Sequence, residues 1–255
     1  MPRSIINRLI ECFINMPDSI QKSKQKRAFK DAAYGQLARI GKALASPKRL
    51  ELLDLLCQAE RTVEALAAET KMSVANTSQH LHVLQAARLV DASKNGRYVL
   101  YRLGDVLVSN VFRSFRLLAE DRLAEMEQIR RRFFDDGAAL DAVDRDTLLQ
   151  RVQQGKAVVI DVRPIPEYLT AHIRTALPIP LEQLEQRLSE LPRGKEIVAY
   201  CRGPYCVLAK EAVELLRARG LRARRLEDSV QDWHAQGLPI ASGAEQARKR
   251  SDRTH

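Results

Sequence analysis

The residue pattern changes period near residue 140, and no single motif constrains the fold as much. Before that point, from about residue 31, apolar residues recur every three to four positions over long stretches, as in amphipathic helices. After it, short β-branched runs alternate with helical segments. The runs are "AVVIDV" (157–162), "ALPIP" (176–180), "EIVAYC" (196–201) and "RARRL" (222–226). Helices are expected at 146–154, over "PEYLTAH", at 181–191, 206–219 and 229–236. Alternating strand and helix implies a parallel sheet with helices on both faces. With 255 residues the chain can bury two cores. The fold class read here is therefore multidomain: a mainly helical α+β domain followed by an α/β domain. The expected boundaries are an N-terminal extension with a basic linker (1–30), the first domain (31–134), a linker (135–145), the second domain (146–241) and a disordered basic tail (242–255).

The formal charge of +10 favours a polyanionic partner. It is concentrated in the first domain: 23 Lys and Arg face 16 Asp and Glu before residue 141, against 19 and 16 after it. Four cysteines in a chain of this length do not form a disulfide scaffold. With no secretory signal in view, the expected compartment is a reducing cytoplasm. No apolar run approaches the roughly 20 residues needed to span a bilayer, so no membrane is expected. "SIINRLIECFIN" (4–15) reads as an amphipathic extension. Nothing in the sequence calls for a cofactor.

In the first domain, Asp31 to Ala45 reads as a helix with Ala33, Leu37, Ile40 and Leu44 on one face. Ser46-Pro47 opens the next, which buries Leu50, Leu53, Leu56 and Cys57. Thr62 caps "VEALAAET", a turn follows at Lys71-Met72, and Ser73 caps "VANTSQHLHVLQAARLV". Two short helices across so tight a turn form a helix-turn-helix. "LVDASKNGRYVLYRL" (89–103) follows as a β-hairpin with Asn95-Gly96 at its tip. A hairpin directly after a recognition helix is the wing of a winged helix. A long helix is expected from Asp105 to Phe134, with an apolar stripe longer than one small domain can cover. That surplus reads as a homodimer interface made with the 31–45 helix. On the recognition helix Thr77, Leu81 and Leu84 face the core, while Ala75, Ser78, Gln79 and His82 point outward, with Asn76 at the margin. Ser73, Asn76, Ser78, Gln79 and His82 form the candidate surface for the major groove of double-stranded operator DNA, and Lys94 and Arg97 flank the wing tip within reach of phosphate.

The stretch "ALASPKRLELLDLL…RTVEALAAETKMSVANTSQHLHVLQAARLV…GRYVLYRL" resembles the arsenical-resistance repressor (ArsR) family over about residues 31–134. The resemblance implies dimeric winged-helix repressors that leave a palindromic operator when an inducer docks. Many members sense metal through a cysteine pair where this chain has Arg61-Thr62-Val63-Glu64. Others use His and carboxylates on the last helix, and residues 105–134 contain no His. Metal sensing at either place is therefore not expected, and no metal site is assigned. Cys57 lies in an apolar face and reads as a small buried hydrophobe.

"AYCRGPYCVLAKEAVELLRARG" (199–220) places Cys201 at the end of a strand and Cys206 at the start of a helix. Backbone N–H groups and the positive helix end should converge between them, a cradle that binds anions and lowers a thiol pKa. Arg202 adds positive charge. Residues 144–241 resemble the rhodanese (thiosulfate sulfurtransferase) domain: "VVIDVRPIPEYLTAHIRTALPIP" is similar to its first signature and "RLEDSVQDWHAQGLPI" to its last, and the six-residue cysteine loop is similar to the sulfurtransferase form. The resemblance implies a persulfide-forming nucleophile at Cys201, a pocket shaped by Arg202, Gly203, Pro204, Tyr205 and Cys206, and structural roles for Asp161, Arg163, Glu167 and His172. An Arg163–Glu167 pair is expected to brace the turn. Ala171, Arg174-Thr175 and Ser229 stand where the signature has glycine or Pro-Gly. Cys206 is open between two roles, a resolving thiol for Cys201 and a packing residue.

Two readings follow. In one, the chain is a DNA-binding regulator, a repressor, that senses or carries reactive sulfur or oxidant through Cys201. In the other it is a sulfurtransferase that passes sulfane sulfur between small-molecule donors and acceptors, with the DNA-binding domain serving autoregulation.

Overall fold

A computed structural model describes residues 18–134 and 142–244. The amphipathic stretch 4–15, most of the expected linker and the last residues of the basic tail lie outside the described residues. The N-terminal half begins with α1 (Asp18–Leu44). This helix runs unbroken through 21–30, the stretch that composition reads as a linker. Its Lys, Gln, Arg and Ala are good helix formers, and Arg27 and Asp31 pair one turn apart at 2.6 Å. Then come α2 (Pro47–Gln58), β1 (Arg61–Thr62), α3 (Val63–Thr70) and α4 (Val74–Ala86). Thr62 and Ser73 act as the expected caps, accepting the Ala65 and Asn76 N–H groups at 3.2 Å. Ser46 departs from expectation: it is extended at the N-cap, but its hydroxyl caps nothing, and Pro47 alone sets the first turn. Lys71 makes the turn in the left-handed region at φ 52°.

The wing is β2 (Val90–Asn95) and β3 (Tyr98–Leu103), with β1 adding a third antiparallel strand in the order β1-β3-β2. Asn95 pairs with Tyr98, so the turn itself is Gly96-Arg97, one residue beyond the expected tip. Gly96 takes φ +60° there. Leu52, Leu53, Leu66, Leu81, Leu84 and Val90 form the core of this half. The single helix expected over 105–134 is two, α5 (Val106–Arg122) and α6 (Ala124–Phe134), broken where Leu123 is extended at φ −111°, ψ 103°. The break carries no Gly or Pro. It turns α6 so that Arg130 pairs with Glu227 of the other half at 3.1 Å. Along α1, α5 and α6, Phe29, Leu37, Leu107, Leu118 and Phe133 are each more than half exposed.

The C-terminal half is β4 (Ala142–Val143), α7 (Arg145–Gln153), β5 (Ala157–Asp161), α8 (Ile165–Thr170), β6 (His172–Ile173), β7 (Leu177–Pro178), α9 (Leu181–Leu184), a 3-10 turn (Leu188–Glu190), β8 (Glu196–Tyr200), α10 (Leu208–Ala218), β9 (Ala223–Leu226), α11 (Val230–Ala235) and β10 (Ile240–Ala241). Five strands form a parallel sheet in the order β4-β9-β8-β5-β7, and β10 pairs with β6. β4 falls inside the segment expected as linker; its two residues pair with Arg225 and Leu226 and close the sheet edge. The expected helix over 181–191 is a single α-turn and a 3-10 turn, and the one over 206–219 starts two residues later, at Leu208. Strand alternation divides the core between the two faces. Ile197 and Ala199 of β8 pack under α10, whereas Val198 and Tyr200 face α7 and α11. Among the described residues, no helix is long and apolar enough to cross a membrane.

Candidate functional site

Two surfaces carry the candidate residues. On α4, Ser73, Asn76, Gln79 and His82 are exposed, as are Lys94 and Arg97 on the wing. Ser78 is half-buried because its hydroxyl bonds to Tyr101 of the wing. Arg97 lies over the Tyr98 ring, 4.9 Å from its centroid. Thr77, Leu81 and Leu84 are fully buried, as the helical phase requires. The α4 face therefore presents Gln79 and His82 outward on a rigidly seated helix.

The second surface is the loop from Cys201 to Cys206, at the C-terminal edge of the parallel sheet, where open α/β folds place their sites. Gly203 has φ +124°, and a Cβ there would come within 3.3 Å of Ser229, so only glycine fits. Ser229 itself opens α11: its hydroxyl and Asp232 form a capping box. A serine thus serves where the rhodanese signature has glycine. Thr175, in the place of another signature glycine, holds the turn at φ 72°.

Cys201 is 2% exposed. The backbone N–H groups of Gly203 and Ala209 point at its sulfur, as the cradle expectation has it. Burial nevertheless prevails over those dipoles and lifts the Cys201 thiol well above the usual range, and the adjacent Cys206 thiol lifts it further. Cys206 moves the other way, to about 7. The hydrogen bond from Cys201 is the main cause, helped by the N–H groups of Arg202 and Leu208 and by the Arg202 charge. Burial of Cys201 thus outweighs the cradle, and the thiol that the cradle lowers is Cys206.

Arg202 does not point into the loop. Its guanidinium bridges Glu167 at 2.7 Å and meets both oxygens of Glu69 on α3 at 3.1 Å. Arg61 binds the same buried Glu167 from the winged-helix side. The expected Arg163–Glu167 brace is thus replaced. Arg163, 1% exposed, instead forks onto Asp161 at 2.7 and 3.0 Å, and donates to the Ala171 carbonyl at 2.7 Å and to Gln58 Oε1 on α2 at 2.9 Å. Tyr200 also donates to Asp161, at 2.5 Å. His172 is buried, stacked on Tyr168 and bonded through Nδ1 to the Tyr168 carbonyl at 2.8 Å.

The winged-helix half covers the loop. Tyr205 donates to Glu120 on α5 at 2.7 Å, and Arg113 and Arg116 of α5 hold Asp232 at 2.8 and 2.5 Å. Gln231 donates to the Cys57 carbonyl at 2.5 Å. Cys57 and Cys206 both border one small void between the halves, but burial pushes the Cys57 thiol up to about 12, which leaves it unreactive. Asp54 of α2 borders the same void, and burial raises its carboxyl from 3.8 to about 6 against the pull of Arg202 and Arg116. Gln58, Glu69, Glu120 and Asp54 are site residues that sequence reasoning missed. No local spacing marks them, because each lies in a helix whose amphipathic pattern is already accounted for by its own core. The one signal was Arg61, which stands where metal-sensing relatives have cysteine.

Comparison with known proteins agrees with both halves. Residues 46–92 match the arsR family of bacterial regulatory proteins, and residues 144–236 match the rhodanese-like domain. The chain is 40% identical over 215 residues to the HTH-type transcriptional regulator Rv0324 of Mycobacterium tuberculosis, a match that covers 84% of this chain and 94% of that one. A sulfurtransferase of Allochromatium vinosum is 29% identical over 39% of this chain and 94% of its own. The homodimeric winged helix-turn-helix domain (fragment 1-100) of Mb0332 from Mycobacterium bovis shares 40% identity, covers 38% of this chain and 89% of its own, and superposes with a TM-score of 0.36. A DNA-binding winged helix joined to a sulfurtransferase-like sheet defines a class of transcription regulator. This chain belongs to the ArsR family of transcriptional regulators, in the form that carries a C-terminal rhodanese domain.

Proposed function

We propose that this regulator is a homodimeric repressor whose rhodanese half reports reactive sulfur or oxidant to the DNA-binding half through Cys201. One observation carries the reading. Arg202, next in sequence to Cys201, is ion-paired to Glu69 of α3, the first helix of the helix-turn-helix. A persulfide on Cys201, or a disulfide to Cys206, adds bulk or pulls at a loop that Arg202 and Tyr205 tie to α3 and α5. A modification shifts a regulator only by favouring one of its two states, and these ties give it a differential contact to act on. The recognition face of Asn76, Gln79 and His82, with Ser73 at the helix start, reads the operator while Lys94 and Arg97 hold phosphate. The exposed apolar residues of α1, α5 and α6 form the dimer interface. Pro204 and Gly203 shape the loop, and Asp161, Arg163, Glu167 and His172 hold it in place. Burial of Cys201 in the rhodanese core favours sensing over multiple turnover.

The test is operator affinity at fixed salt, before and after polysulfide, for the wild type, Cys201→Ser and Glu69→Gln. The expected result is a change in the wild type alone, with Glu69→Gln taking up sulfur yet failing to respond. Equal responses in all three proteins overturn the coupling.

A further inference from the structure

The two halves enclose a cleft of about 620 Å³ between α2, α5 and the cysteine loop, within the size range of small-molecule sites. Leu55 of α2 and Phe112, Phe115 and Ala119 of α5 supply apolar wall. The charged groups that line it are Glu51, Asp54 and Glu69, against Arg116 and Arg202. Both arginines already have carboxylate partners. Arg202 is held by Glu167 and Glu69, and Arg116 by Glu120 at 3.0 Å and Asp232 at 2.5 Å. Tyr205, which also lines the cleft, donates to Glu120 at 2.7 Å. Glu51 pairs with Lys48 at 2.7 Å.

Asp54 is the exception. Among the described residues, no donor hydrogen-bonds its carboxylate. Burial lifts this carboxyl to about 6 although Arg202 and Arg116 pull it down. At neutral pH it is therefore an ionised group set among apolar side chains without a hydrogen-bond partner, an arrangement that a cation with its own donors relieves. Phenyl rings nearby favour the same sign of charge. An anion in the cleft would meet three carboxylates and two arginines whose charge is already matched.

We propose that this interdomain cleft is a binding site for a small organic ammonium ion with an apolar body. Asp54 is its counter-ion, and Leu55, Phe112, Phe115 and Ala119 are the wall that takes its alkyl or aryl part out of water. The site stands apart from the sulfur reading, since Cys201 does not line the cleft. A ligand there touches α2 and α5 of the winged-helix half and the loop of the rhodanese half at once. It supplies a contact that depends on how the halves sit together, with no covalent change to the protein.

The experiment is calorimetric titration of the full-length protein at neutral pH with three probes that share one tail: octylammonium, octanol and octanoate. Octylammonium is expected to bind once per chain. Octanol should bind at least about tenfold more weakly, for want of one charge-assisted hydrogen bond, and octanoate more weakly still. Asp54→Asn is expected to bring octylammonium down to the affinity of octanol and to leave octanol unchanged. Ala119→Trp, which fills the cleft, should weaken octylammonium at least about tenfold. The head-group series needs no variant, so it stands even if a substitution disturbs folding. Octanol or octanoate binding as tightly as octylammonium overturns the proposal, as does an octylammonium affinity that Asp54→Asn leaves at the wild-type value. Methylammonium binding as tightly as octylammonium overturns the apolar wall, and no heat with any probe overturns the site.

Discussion

The face of α4 and the loop at 201–206 are both polar surfaces at helix ends, yet they are built in opposite ways. Gln79 and His82 project from a helix seated by its own Leu81 and Leu84, and their side chains are exposed. Nearly every polar group of the loop is tied to the other half of the chain: Arg202 to Glu69, Tyr205 to Glu120, and the supporting Arg163 to Gln58. The first is an exposed face seated by its own helix. The second is a loop held by side chains of the winged-helix domain. Operator reading should therefore tolerate damage to the rhodanese half, whereas loop chemistry should not tolerate damage to the winged-helix half.

The strongest way to break this contrast is Arg163→Met. It leaves the Asp161 carboxylate buried without its ion pair, and removing one partner of such a pair costs about 3–5 kcal/mol. Denaturant unfolding of the rhodanese half should shift by that amount, while operator affinity below the transition stays at the wild-type value. A matching loss of operator affinity would show that the recognition face also depends on the second domain.

Asp54→Asn probes the boundary itself. Burial raises this carboxyl from 3.8 to about 6, so the folded protein binds its proton more tightly than the unfolded chain does. Stability from this group is greatest below pH 4 and is lost as pH rises toward 6, where the charged form must be kept. The variant should lack that loss and be more stable at pH 8 by up to about 3 kcal/mol, measured by denaturant titration across pH. An unchanged pH profile would mean that the two halves leave water around Asp54.

The smaller effects sharpen the other side of the comparison. Gln79→Ala should cost about 1–3 kcal/mol of operator binding and relax preference at one base position, with no change in melting. Lys94→Ala should weaken all sequences alike and reduce the salt slope by about one. Binding titrations on operator and mismatched DNA at several salt concentrations check both.

The sequence made the winged helix legible almost to the residue. Thr62 and Ser73 cap their helices through bonds that span three positions, and the buried Thr77, Leu81 and Leu84 follow the helical phase. It misread 21–30 as a linker because charge density hid good helix formers. It took α5 and α6 as one helix because nothing local marks Leu123; beyond the turn, Arg130 pairs with Glu227 of the other half. In the loop, the two cysteines and the obligatory Gly203 were visible. The order of the thiol pKa values was not, because a helix-end cradle predicts a lowered Cys201 only if that sulfur meets water, and it is 2% exposed.

By itself, then, the sequence determined two domain types, the exposed face of α4 and the position of the cysteine loop. The helices, strands and caps rest on periodicity and turn geometry, which act over a few residues, and the cysteine loop was marked by the resemblance to the rhodanese domain. Only the tertiary structure decided which carboxylates hold Arg202 and how deeply Cys201 is buried. Arg202 and Glu69 are 133 positions apart. Desolvation and ion pairing depend on distance in space, and the chain carries no local record of which surfaces folding will bring together.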